Sequence, residues 1–191
     1  MPIAINGSGS ITGISAGGLP DGCVTADDLA SGVGGKILQV KQTVKNDTFS
    51  TTSGSYTDIT GMSVAITPSS TSSKVKVSVC LRVQCSQDDR WIAVILLRDN
   101  QILFDGTASG SRTQASIWHI PYAGTGTGNT FSDKNIVFLD SPSSTSSLTY
   151  KLQMKVQLGG TTGHVNRSMN DNDADYGPRT SSSITVEEVA P

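Results

Sequence analysis

The residues best spaced for chemistry are the run NDNDADYG at 170–177, in which Asp171, Asp173 and Asp175 alternate as the leading oxygen donors of a calcium loop do. Three carboxylates this close repel one another unless a cation or free water surrounds them, so the run is a candidate Ca2+ site. It departs from an EF-hand at two places: Tyr176 takes the position of the hinge glycine, with Gly177 one residue late, and Ser182 stands where the closing glutamate belongs. A solvated acidic loop explains the same residues without a cation. The two histidines, His119 and His164, have no cysteine or carboxylate at ligand spacing and read as polar residues at strand ends. The chain contains no nucleophile elbow, zincin, P-loop or dinucleotide fingerprint. Two isolated histidines and one acidic loop do not assemble a polysaccharide-cleaving acid–base pair, so the expectation is a protein that is not an enzyme.

Binding is the chemistry that remains. Sugar sites stack pyranose rings on exposed aromatics, and the candidates are Trp91, Trp118, Tyr122 and Tyr176. The two tryptophans lie in strand-like segments and read as core or interface, because large apolar rings drive burial. Tyr122 and Tyr176 lie in loops containing Gly or Pro and are the candidate ligand-binding residues, with a surface glycan as the partner they suggest.

Composition narrows the partners further. Charged residues make up 16% of the chain, against about 25% in ordinary soluble domains, so Ser, Thr and the 20 glycines supply much of the polarity. A net charge of −2 with scattered Lys and Arg provides no basic stripe to neutralise phosphates, which argues against nucleic acid. The longest apolar run, WIAVILL at 91–97, falls well short of the ~20 residues of a membrane-spanning helix and reads as a buried strand. With no basic n-region followed by an apolar h-region, the chain is expected to fold where it is made. Cys23, Cys80 and Cys85 are an odd count without C-x-x-C spacing, which suits a reducing compartment.

The elements that position these residues are strands. In KVKVSVCLRVQC, Val75, Val77, Val79, Leu81, Val83 and Cys85 share one face. Leu148, Tyr150, Leu152, Met154, Val156 and Leu158 share another. Shorter strands are expected over 37–44, 56–60, 62–66, 91–98, 101–104, 114–120, 135–139, 164–166 and 183–189, separated by turns such as Ser53-Gly54 and Gly159-Gly160. About ten strands at this spacing predict an all-β, antiparallel β-sandwich of jelly-roll type over residues 36–191. The phrase PSSTSS occurs at 68–73 and 142–147, each time ahead of a long alternating strand. Because the apolar phase after the second copy is shifted by one residue, shared turn composition explains the repeat better than two matching halves.

Residues 1–35 differ in kind. Glycine recurs every few positions, and Ile3, Ile5, Ile11, Ile14, Leu19, Val24 and Leu29 stand alone. Thr25-Ala26-Asp27-Asp28 carries a helix N-cap pattern that predicts one short helix, too short to hold itself in water. Ordering an extended segment costs about 1–2 kcal/mol per residue, more than such sparse contacts within one chain repay. We therefore expect an extended anchor or stem ordered by other chains, with those seven apolar residues as the docking positions.

The phrases INGSGSITGISAGGLPDG and VTADDLA resemble the N-terminal segment of fibre-like virion proteins of tailed marine bacteriophages, cyanophages among them. KILQV, GMSVAITPSSTSSKVKVSV, FLDSPSSTSSLTYKLQ, VNRS and SSSITVEEVAP are similar to head domains of the same group, while residues 105–133 match loosely. The resemblance implies a structural protein made in the host cytoplasm and located in the virion, a homotrimer with a head like the jelly rolls of tumour necrosis factor and complement C1q. It implies attachment to other virion proteins of capsid or tail, as fibre, spike or decoration. It also leaves open a receptor- or glycan-binding tail-fibre head that mediates host attachment. The chain is short for such a fibre and lacks a repetitive shaft.

Overall fold

The computed structural model describes residues 4–5, 11–12, 36–121, 128 and 131–191. The chain divides into two compact units, Met1–Lys36 and Ile37–Pro191. In the first, strands β1 (Ala4–Ile5) and β2 (Ile11–Thr12) pair antiparallel, with Ile5 opposite Ile11. The expected short helix at residues 25–28 lies outside the described residues, as do Ile3, Ile14, Leu19, Val24 and Leu29.

The second unit is an antiparallel β-sandwich, and no α-helix occurs among the described residues. Its strands are β3 (Ile37–Lys45), β4 (Phe49–Thr51), β5 (Thr57–Ile66), β6 (Lys74–Cys85), β7 (Ile92–Arg98), β8 (Gln101–Phe104), β9 (Ile117–His119), β10 (Ser132–Asp140), β11 (Leu148–Val156), β12 (Gly163–Val165) and β13 (Ser182–Val189). One sheet is built around β6. On one flank β6 pairs with β13 from Lys74 to Cys80 and then, from Val83 to Cys85, with β12; on the other it pairs with β10 along nine residues from Ser132 to Asp140. Strand β3 lies beyond β13 and β4 beyond β12. The second sheet runs β5-β11-β7, with β8 and β9 side by side along the far flank of β7.

Alternation decides what is buried. Val75, Val77, Leu81 and Val83 of β6 face Tyr150, Leu152 and Met154 of β11 across the core, joined by Ile184, Val186, Met62 and Ile136, and none is more than 2% exposed. Each such side chain stabilises the fold by about 1.5–3 kcal/mol. Leu158 is a correction: it does not share the β11 core face but is 70% exposed, because the strand ends at Val156 and the chain turns through Gly159 and Gly160 at positive φ. The two strands expected over 56–60 and 62–66 form one, β5, which begins at Thr57 and is kinked where Gly61 adopts φ +84°. Strand β4 had no visible signal, since FST is too short to show a period.

The registers give the sandwich a direction. Val189 lies opposite Ile37 and Lys74, Asp140 opposite Val75, and Leu148 opposite Ile66. The entry of the chain from residue 36, its C-terminus and both PSSTSS turns therefore gather at one end. In each copy the same local bond closes the turn, Ser72 N–H to Ser70 Oγ and Ser146 N–H to Ser144 Oγ, as shared turn composition predicts. At this end the buried Glu188 carboxylate accepts from the Ser69 backbone and hydroxyl at 2.7 Å and from Gln39 at 2.6 Å. Burial alone raises its pKa, but the bonds from Gln39, Ser69 and Ser73 outweigh that and hold it at about 2.

Candidate functional site

The acidic loop hangs at the opposite end of the sandwich. Asn166, fully buried at φ +61°, donates from Nδ2 to the carbonyls of Lys45 (2.8 Å) and Asp47 (3.0 Å) and accepts from Ser182 Oγ (2.6 Å). Arg167 and Arg179 bridge across the loop, and both guanidiniums reach Asp171, at 3.5 and 2.6 Å. Asp171 is thus neutralised by its own loop, whereas Asp173 and Asp175 are exposed. Among the described residues no three acidic, His or Cys side chains converge as a cation cage. Tyr176 projects into solvent at 57% exposure, and Tyr122 lies outside the described residues.

The loop is tightly folded at Gly177, whose N–H donates to the Ala174 carbonyl and whose added Cβ would stand 2.0 Å from the Asn172 carbonyl oxygen. Gly177→Ala is expected to destabilise by about 1–3 kcal/mol through that overlap. Gly106→Ala, which meets nothing within 4 Å, should stay near wild type. Urea midpoints of the two variants check this.

His119 ends β9 as expected, whereas His164 is the middle residue of β12, and both are buried. His119 Nε2 lies 3.4 Å from Gln84 Oε1, and His164, opposite Gln84 in the β12–β6 register, holds Nδ1 2.9 Å from Ser50 Oγ. Burial pushes both pKa values down to about 4, with Lys134 adding to the effect at His119 and Arg167 at His164. A serine beside a histidine begins a nucleophilic dyad, yet among the described residues no carboxylate hydrogen bond orients this ring, and a base of pKa about 4 is weak at neutral pH. A hollow of about 430 Å³ beside the β5 kink, lined by Asp58, Gly61, Thr149 and Lys151, is spanned by the Lys151–Asp58 ion pair at 3.1 Å.

Large apolar side chains are exposed in two strips on opposite edges of the sandwich. Ile37, Leu38, Val40 and Val44, each 46–54% exposed, follow β3, whose only described ladder is with β13. On the other edge Ile102 and Phe104 of β8 and Val137 and Leu139 of β10 are 40–69% exposed, and the Phe104 and Phe138 rings, 5.5 Å apart, join the two strands into one patch. Sequence alternation did not separate these residues from core ones, because both faces of an edge strand can be apolar.

A third feature sits on the outer face of the five-stranded sheet. Trp91 and Trp118 stack with centroids 4.6 Å apart and planes inclined by 25°, and Trp118 remains 43% exposed rather than entering the core. Lys155 Nζ lies 4.7 Å from the Tyr56 ring centroid and 5.7 Å from that of Trp91. The Tyr56 hydroxyl donates to the Gln114 carbonyl at 2.6 Å, which draws the 105–116 segment over this face. Burial, with Asp105 nearby, pushes the Tyr56 pKa up to about 12.

No protein-family model matches the chain, and no curated protein matches it. Among solved structures it is similar to a chain of the T=1 particles derived from infectious bursal virus, at 11% identity and TM-score 0.40, covering 80% of this chain and 36% of that one. The Gt strain of the same virus matches at 13% identity and TM-score 0.41, and its VP2 subviral particle at 13% and 0.38, each covering 80% of this chain and 38% of that one. The chain spans well under half the length of these viral chains.

Proposed function

We propose that this chain is a non-enzymatic structural protein of a bacteriophage particle, of fibre, spike or decoration type. Residues 1–35 anchor it to capsid or tail proteins through the apolar positions from Ile3 to Leu29, and residues 36–191 form a head that closes into a homotrimer. The observation that carries this reading is the pair of unlike apolar strips on opposite edges of the sandwich. Exposed apolar patches on this scale mark interaction surfaces, and a surface that is not its own complement joins copies head to tail, which closes into a ring when the rotation permits. The phage-like phrases of the sequence support the same assignment. So does the direction of the sandwich, with the chain entering at one end and the 166–181 loop at the other.

Native mass measurement of the full chain is expected to give a trimer. Either Val40→Lys or Val137→Lys alone should dissociate it, since each contact needs both strips. A chain that stays monomeric at tens of micromolar would end the reading. Removing residues 1–35 is expected to leave the head folded but absent from particles.

A further inference from the structure

We infer that the outer face of the five-stranded sheet carries a subsite for an acidic sugar, with Trp118 as the stacking platform and Lys155 as the partner of the sugar carboxylate. This goes beyond the virion reading and does not depend on it. Ala93 lies opposite Trp118 in the β9–β7 register and opposite Lys155 in the β11–β7 register. Trp118, Ala93 and Lys155 therefore stand in one row on one face, with Trp91, two residues before Ala93, on that face beside them. Two inter-strand spacings separate the Trp118 and Lys155 backbones, about 10 Å, a span that a sugar ring carrying a carboxylate, or two linked rings, can bridge.

Three properties suit an acidic sugar. The Trp118 ring is exposed yet rigid, because Trp91 supports it from behind, so little order is lost when a ring stacks on it. Lys155 is partly buried and packed against two aromatic faces, with no carboxylate paired to it among the described residues. The other lysine of β11, Lys151, differs in being paired with Asp58. A cation without a counter-ion in a partly desolvated, aromatic setting favours an anionic ligand. Gln157, whose N–H donates to the Trp91 carbonyl at 3.0 Å, supplies an amide beside the tryptophans of the kind that recognises sugar hydroxyls, whereas the Gln114 amide already donates from Nε2 to the Gly106 carbonyl at 2.6 Å. Trp118 stands on β9 and Lys155 on β11, and both strands pair with β7 between them.

The chain has two tryptophans, both in this cluster, so its intrinsic tryptophan fluorescence reports on this place alone. The full-length protein is titrated with an oligogalacturonate and, in parallel, with a neutral maltooligosaccharide of the same length. The expected result is a saturable fluorescence change with the acidic sugar and binding at least about tenfold weaker for the neutral one. Trp118→Ala should abolish the response while Trp91 still reports. Lys155→Gln, a surface change that keeps the fold testable if the tryptophan variant is unstable, should cut the acidic preference to about twofold or less. Circular dichroism confirms the fold of each variant. No saturable change with either sugar, equal binding of both by the wild type, or undiminished acidic preference in folded Lys155→Gln would overturn the inference.

Discussion

Lowering the pH from 7 to 4 is expected to remove about 3 kcal/mol of stability for each of His119 and His164, at roughly 1.4 kcal/mol per pKa unit. Both are held neutral by burial, with folded pKa values of about 4 against 6.5 for the free side chain. Between those values the unfolded chain binds the proton and the folded one does not. Stability is therefore complete above pH 6.5 and lost as pH falls through 4. Glu188 extends the loss downward, because its carboxylate, held at about 2, contributes above pH 4.5 and ceases to as pH approaches 2. Urea unfolding at pH 7.5, 5.5 and 4.5, at one protein concentration, reads the effect. His119→Gln and His164→Gln should each flatten the slope between pH 6.5 and 4. A slope unchanged in both variants would show that the rings titrate normally.

The second large effect lies at the chain-entry end. Asp140, buried at 6% exposure, accepts from Arg98 Nη1 at 2.6 Å and from the Tyr150 hydroxyl at 2.7 Å, and Tyr150 is the largest fully buried side chain. Burial, and then Asp140, push the Tyr150 pKa well above its usual value, so the phenol stays a donor throughout the accessible pH range. Asp140→Ala leaves a largely buried guanidinium without a counter-ion and a buried hydroxyl without an acceptor. The expected cost is about 3–5 kcal/mol. Replacing both partners, as Arg98→Met with Asp140→Leu, should restore most of it, because the expense lies in the stranded charge rather than in a missing attraction. Asp58→Ala, at an ion pair whose acid is 57% exposed, should cost no more than about 1 kcal/mol. Equal losses at Asp140 and Asp58 in denaturant titrations would refute the argument from burial.

Much of the architecture was legible in the sequence because a strand's period is two residues and the core takes every second side chain. KVKVSVCLRVQC becomes β6 over the full predicted range, Lys74–Cys85, with its apolar face inward. QILF becomes β8, and WIAVILL, less its first residue, lies within β7, buried on both faces. Where the period fails, so did the reading. FST was too short to show one, Gly61 kinks a strand without ending it, and Leu158 kept the phase of β11 after the strand had stopped.

The site was far less legible. Alternating aspartates at 171, 173 and 175 resemble a cation loop when only spacing is visible. The positions of Arg167 and Arg179, brought to Asp171 by the loop's return, decide where its charge goes. Likewise Trp91 and Trp118 are 27 positions apart in the chain and meet only because β7 and β9 pair. By itself the sequence determined the β-sandwich, most of its strands and its inward faces, because these follow from local periodicity. Only the tertiary structure decided which apolar residues stay at open edges, which histidines lose water and which rings and charges meet, because each depends on pairing between residues distant in sequence.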